Sequence, residues 1–287
     1  MIGLITGSGF GELDALLDRE SERVETAYGS VTVTMGKWHG RDDVAFIARH
    51  GSGHSIAPHL INYRANIAAL HAVGVRAVVA TAVSGAITAG WGMGDLVLVS
   101  DFLNFTTGRN DTFFDSVGSV RHTEMTTAYD PDLRALIFES AASAGVSVAD
   151  GAVYSTFNGP RFESPAEIRM AERAGADLVG MTGYPEVVLA RERGLAYASI
   201  AIVVNQAAGK GVELSIPEIM AVISAAAPNV EALLGATVAS YSEILSDPAK
   251  AGLRMVAGDE GSEWEMSAGE NQSPSNKPTP AEQNEAQ

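Results

Sequence analysis

Leu178-Val-Gly-Met-Thr-Gly-Tyr-Pro-Glu-Val-Val-Leu-Ala-Arg-Glu-Arg-Gly-Leu-Ala-Tyr-Ala-Ser-Ile-Ala-Ile-Val-Val204 is the stretch on which the fold turns. Residues 178–181 read as a short apolar strand. Pro185–Gly194 reads as a helix, and Tyr197–Val204 as a continuous apolar run of the kind buried in a parallel sheet. Strand, helix and strand within so few residues describe an α/β layer. The same alternation extends outward. Strands are expected at Ile2–Thr6, Val31–Met35, Val44–Ala48, Arg76–Thr81 (ending in a turn at Ser84-Gly85), Leu96–Leu103 and Gly151–Thr156. Helices are expected at Tyr63–Val73, Asp132–Ala144, Pro165–Gly175 and Ile216–Leu245, the last broken near Pro228. The fold class is α/β, with a central mixed, mostly parallel β-sheet flanked by helices. Charged and glycine-rich segments follow several strands directly, where such sheets hold their ligands.

The 287 residues carry a formal net charge of −16, no cysteine, 46% hydrophobic and 7% aromatic residues. Disulfides and thiolate metal sites are excluded. The acidity and the lack of a basic cluster argue against nucleic acid. No apolar run reaches the roughly 18 residues that span a membrane. Met1 leads into Ile2-Gly-Leu-Ile5 without a basic run or cleavage site, so no signal peptide is expected and the cytoplasm is the expected location. Residues 1–250 are expected to form one domain, and residues 258–287 a disordered acidic tail, because Gly, Ser, Pro, Asn, Gln and Glu replace aliphatic residues there.

Four segments carry chemistry. Gly7-Ser-Gly-Phe-Gly11 follows a strand, and its backbone N–H groups with the Ser8 hydroxyl can approach an anion. Glu12 stands where a dinucleotide fingerprint needs glycine, so an empty tight turn accounts for this loop equally well. Arg49-His50-Gly51 offers a guanidinium fork for an oxyanion; a surface arginine beside a strand-end histidine is the plainer alternative. Arg161 is a second candidate cation. His39, His50, His54 and His59 match no metal-ligand spacing, so no metal site is expected. Asn158-Gly-Pro-Arg-Phe-Glu163 presents a ring that can stack on a flat base and a carboxylate that can accept from an N–H edge. Asn205 closes the apolar run Ser199–Val204. Asp95 and Asp101 flank a strand and receive no role.

In this order the segments resemble the trimeric purine nucleoside phosphorylase and methylthioadenosine phosphorylase family. The carrying residues are Gly7-Ser-Gly9, Arg49-His-Gly51, Asn62-Tyr-Arg-Ala-Asn66, Gly159-Pro-Arg-Phe162, Gly180-Met-Thr182, Pro185-Glu-Val-Val-Leu-Ala190 and Tyr197-Ala-Ser-Ile-Ala201. The likeness spans about residues 2–245. It implies a pentosyltransferase without cofactor that uses inorganic phosphate as co-substrate. Ser8, Arg49, His50, the backbone near Val83-Ser84, and Thr182 would hold phosphate. Met181 would line the ribose and Phe162 the base. Ala82 stands where many relatives have Asn or Thr, which implies backbone contacts there.

In the 6-aminopurine branch of that family the position of Glu163 is usually small and that of Asn205 is Asp. Glu163 and Asn205 therefore resemble the 6-oxopurine branch. A carboxylate accepts from the N1–H of a 6-oxopurine but faces a lone pair in adenine, and Asn205 can donate to N7 or O6. No histidine follows His122, where nucleoside-type relatives bind the 5′-hydroxyl. Ile216, Ile219 and Met220 offer an apolar wall instead. His122 and Met125 match a segment that relatives lend to a neighbouring subunit, which implies a homotrimer. The combination implies S-methyl-5′-thioinosine phosphorylase activity. A general inosine/guanosine phosphorylase and a methylthioadenosine phosphorylase are alternatives in the same class. A hydrolytic nucleosidase would leave Arg49 and Ser8 without a purpose, and a nucleoside-binding protein needs no phosphate site.

Overall fold

The computed structural model describes residues 1–9, 15–118, 120–211 and 215–242. Among them are β1 (Ile2–Thr6), β2 (Leu17–Thr26), β3 (Gly29–Trp38), β4 (Arg41–Ala48), α1 (Tyr63–Ala72), β5 (Ala77–Ala86), β6 (Leu96–Asn104) and α2 (Pro131–Ala144). β7 (Val148–Thr156), α3 (Pro165–Arg173), β8 (Leu178–Gly180), α4 (Gly183–Glu192), β9 (Ala196–Gln206) and α5 (Ile216–Ser240) complete the order. The expected tail at 258–287 lies outside the described residues, as do Phe10, Gly11, Glu12 and Leu214.

The sheet order is β2-β3-β4-β1-β5-β8-β7-β6-β9, and β5 also pairs with β9. That extra ladder closes β5, β8, β7, β6 and β9 into a ring, with β1 to β4 extending from it as an open wing. The sheet is mixed. β1–β4, β1–β5, β5–β9, β6–β7 and β7–β8 run parallel, whereas β2–β3, β3–β4, β5–β8 and β6–β9 run antiparallel.

Period-two alternation distributes most strand side chains between two larger cores, and a third, smaller cluster gathers around Ile168 and Ala171 of α3. Ile5, Ala45, Ile47, Val78 and Ala80 pack with Ile67 and Leu70 of α1 and Val187, Leu189 and Ala190 of α4. Ile2, Leu4, Val44, Phe46 and Val79 pack on the other face with Leu133 and Ile137 of α2 and with α5. Local signals set the helix starts. Asn62 caps α1 by accepting from the Ala65 N–H, Asp130 caps α2 by accepting from Leu133, and Ser164 and Glu167 form a capping box on α3.

Four expectations need correction. The turn at Ser84-Gly85 is absent. β5 continues to Ala86 because β9 pairs with it throughout, and the turn signal survives only as a register shift between Ser84 and Gly85. Helix α5 does not break at Pro228. A helix-interior proline costs about 3 kcal/mol, but burying one Leu or Val side chain contributes about 1.5–3 kcal/mol. Val230, Leu233, Leu234 and Val238 are all fully buried beyond the proline, so packing outweighs the penalty. α5 is also long and apolar enough, by length and composition, to cross a membrane. A third of its most apolar window is buried, and those residues belong to the α2-side core. Finally, β2 was not read as a strand. Its sequence LDRESERVET is largely exposed and carries no apolar alternation.

Candidate functional site

One cavity of about 460 Å³ lies where the carboxyl ends of the strands meet α5. β1 delivers Gly7, Ser8 and Gly9; β4 delivers Arg49 and His50; β5 contributes Ala82 to Gly85. The segment after β7 supplies Phe162 and Glu163, the segment after β8 supplies Met181 and Thr182, and β9 supplies Asn205. Ile216, Ile219, Met220 and Ile223 form one stripe of α5 along the same wall, at helical spacing. Ser8, Arg49, His50, Val83, Phe162, Glu163, Met181, Thr182, Asn205, Ile216, Ile219 and Met220 are thereby brought together. His122 is exposed and does not line the cavity. Arg161 also lies elsewhere: it is exposed and pairs with Glu167 at 2.7 Å, so the carboxylate that caps α3 occupies it.

Two glycines permit the close packing at this rim. Gly9 has φ +85°, and a Cβ there would stand 2.1 Å from Ile223 Cγ2, so only glycine lets the first loop lean on α5. Gly159 has φ +63°, and a Cβ there would stand 2.4 Å from the Met181 sulfur. The Phe162–Glu163 loop therefore lies against the turn after β8. Arg109 ties the same two segments together. Its Nη2 donates to the carbonyls of Asn158 (3.2 Å) and Met181 (2.8 Å), and its Nη1 donates to the Tyr184 carbonyl.

The end near β1, β4 and β5 is cationic but charge-balanced. Arg49 is not a surface residue: its side chain is 1% exposed, and Nε and Nη2 donate to both oxygens of the buried Glu186 carboxylate. Nη1 donates to the Thr81 carbonyl at 2.7 Å. The Glu186 charge holds the guanidinium protonated above its usual range, against the cost of burial. His50 is largely buried, and desolvation lowers its pKa to about 4. The neutral ring donates from Nδ1 to the Ile56 carbonyl at 2.8 Å, which leaves Nε2 as an acceptor. The His54 ring lies 4.2 Å from it, centroid to centroid. Thr182 is the N-cap residue of α4 yet makes no capping bond through its side chain.

The other end is built around Glu163. Its carboxyl is buried, and burial pushes its pKa above the ordinary range. Oε1 has no hydrogen-bond partner among the described residues. A buried oxygen of this kind costs about 1–3 kcal/mol unless a donor reaches it. Asn205 donates from Nδ2 to the Gln206 carbonyl at 2.7 Å, which leaves its other N–H and its Oδ1 for a ligand. The arrangement can hold an oxyanion at one end and a flat N–H-bearing ring at the other, with the apolar stripe of α5 along one wall.

Sequence reasoning missed Glu186, Tyr197, His54 and Arg109. Glu186 stands in the Pro185–Ala190 block, where an acid at a helix start reads as an ordinary first-turn residue. The surrounding Val187-Val188-Leu189-Ala190 was the available signal that this acid is buried. Arg109 lies in a long loop without periodicity and gave none.

Several known proteins are similar to this chain over most of its length. A probable 6-oxopurine nucleoside phosphorylase of Moorella thermoacetica is 45% identical over 235 residues, covering 81% of this chain and 90% of the relative. A probable S-methyl-5′-thioinosine phosphorylase of Xanthomonas campestris is 41% identical over 239 residues, covering 82% and 95%. The crystal structure of methylthioadenosine phosphorylase from Schistosoma mansoni with adenine superposes with a TM-score of 0.82 at 29% identity, covering 88% of this chain and 96% of that one. The sequence profile of the Phosphorylase superfamily matches residues 1–239, and the chain belongs to that superfamily.

Proposed function

We propose that this chain is a purine nucleoside phosphorylase specific for 6-oxopurines, with S-methyl-5′-thioinosine as its preferred substrate. Phosphate oxygen attacks the anomeric carbon, and the bond from that carbon to purine N9 breaks. The electron pair passes to the purine, which takes up at N7 a proton matched by the one that hydrogen phosphate gives up on forming the ester. Products are hypoxanthine and 5-methylthioribose 1-phosphate. Ser8, Arg49, Thr182 and the Val83-Ser84 backbone donate to the phosphate oxygens beside the oxocarbenium-like sugar, His50 Nε2 accepts from the phosphate O–H, and Asn205 assists the leaving base. Holding both reactants in one cavity supplies much of the remaining rate. Met181 lies under the ribose and Phe162 against the base. Phosphate is the only co-reactant required. Assembly as a trimer, with His122 reaching a neighbouring site, and a cytoplasmic location belong to the same proposal.

The observation that carries this reading is the orphaned, buried Glu163 Oε1 in the same cavity as Arg49. It asks for a donor, and a 6-oxopurine N1–H is one where adenine N1 is not. The apolar face of Ile216, Ile219 and Met220 supports a methylthio rather than a hydroxyl group at the 5′ position. The relatives named above support both 6-oxopurine readings. A general inosine/guanosine phosphorylase is therefore the second reading, and it rests on the exposure of Ile216 and Met220, which leaves room for water at that end. The test is base release from methylthioinosine, inosine and methylthioadenosine, with and without phosphate. Hypoxanthine released from methylthioinosine only with phosphate is the expected result. Turnover without phosphate refutes phosphorolysis, preference for methylthioadenosine refutes the role of Glu163, and equal turnover of inosine refutes the apolar pocket.

A further inference from the structure

Arg49 lines the cavity, but the group that fixes it does not. Glu186 is 0% exposed, and its two carboxylate oxygens receive Arg49 Nε at 2.8 Å and Nη2 at 2.7 Å. The Tyr197 hydroxyl donates to the same Oε1 at 2.8 Å. Arg49 Nη1 reaches the Thr81 carbonyl on its other side and lies 3.1 Å from where a Cβ on Gly7 would stand. One planar fork is thus held by α4, β5 and β9 at the edge of the glycine loop.

Stability alone does not explain this pair. Two charges removed from water recover little net free energy, and well-packed apolar residues serve a core as well or better. What a two-point carboxylate does supply is orientation, because it fixes the plane of a guanidinium whose five donors have rigid directions. We infer that Glu186, itself oriented by Tyr197, is a positioning residue that sets the Arg49 guanidinium for a phosphate oxyanion at the Gly7–Gly9 loop. It also balances the arginine charge, so the anion is held by directed hydrogen bonds rather than by a free cation. This inference rests on the phosphorolytic reading.

The experiment compares the full-length parent with Glu186→Gln and Tyr197→Phe. Phosphate and nucleoside KM, kcat and thermal midpoint are measured, with phosphate titrated calorimetrically. Glu186→Gln keeps one acceptor and loses the charge-assisted pair, so phosphate KM should rise about tenfold or more while nucleoside KM stays within about twofold. Tyr197→Phe should raise phosphate KM by about threefold in the same selective way. A folded Glu186→Gln protein with parental phosphate KM overturns the inference. If that variant does not fold, Tyr197→Phe decides: a lower thermal midpoint with unchanged phosphate KM assigns the network to stability and overturns it. A parent that binds phosphate but releases no base refutes the phosphorylase reading alone, and the calorimetric titration of Tyr197→Phe then decides the positioning role. A parent that neither turns over nor binds phosphate overturns both.

Discussion

The two ends of the cavity are made differently. At the end proposed for phosphate, Arg49 is buried, Glu186 of α4 and Thr81 of β5 accept from its guanidinium, and Tyr197 of β9 donates to Glu186. At the end proposed for the 5′ group, Ile216 is 57% exposed and Met220 46% exposed on the first turns of α5. The first end is rigid and chemically specified, and the second is open and merely apolar. On the proposed reading, reaction chemistry is tied to the fold, whereas choice of nucleoside rests on side chains that can change without disturbing the core.

The largest effect should come from breaking the rigid end. Arg49→Met strands the Glu186 carboxylate without a cation, and a broken buried pair costs about 3–5 kcal/mol. Denaturant unfolding should show that loss, and phosphorolysis should fall by about two orders of magnitude or more. Glu163→Ser comes next. It removes the acceptor for N1–H, so the 6-oxo to 6-amino preference in kcat/KM should fall by about 1–3 kcal/mol with little change in thermal midpoint. An unchanged ratio would remove Glu163 from base selection.

At the open end, Met220→Ser should lower the preference for methylthioinosine over inosine by about tenfold, the low end for an apolar contact because the side chain is half exposed. Phosphate KM should not move; if it does, the two ends are not separable in the way described. A separate effect, read in stability rather than in turnover, is a pH dependence. His50 has its folded pKa lowered to about 4 from 6.5, so the unfolded chain binds more protons between those values. Stability from this group is present above pH 6.5 and is lost as pH falls toward 4. Thermal midpoints of His50→Gln should decline less steeply than the parent's across that window.

The same division decides what the sequence made legible. Elements with a strong local period, such as β9 and α2, were read with their boundaries nearly intact. The placement of Glu163 and Asn205 on one cavity was legible because a carboxylate in the rigid loop after β7 and an amide near the end of β9 announce themselves. Closure of the ring was not visible, because the β5–β9 ladder joins alanine-rich strands whose side chains carry no register signal. Glu186 was hidden for a related reason: its partner Arg49 is 137 residues away, and only the fold shows that the acid faces a cation rather than water. Pro228 misled because local propensity was weighed without the core beneath it.

The ring has a consequence for how copies of this chain meet in a crowded solution. Among the described residues, β2 is the one strand with a single neighbour, so it holds the long unpaired edge of the sheet. Asp18, Arg19, Glu20, Glu22, Arg23 and Glu25 crowd that edge. A strand so densely charged is a poor template for intermolecular pairing. The segment that looked least like a strand is thus protected from aggregation by the same charges that hid it.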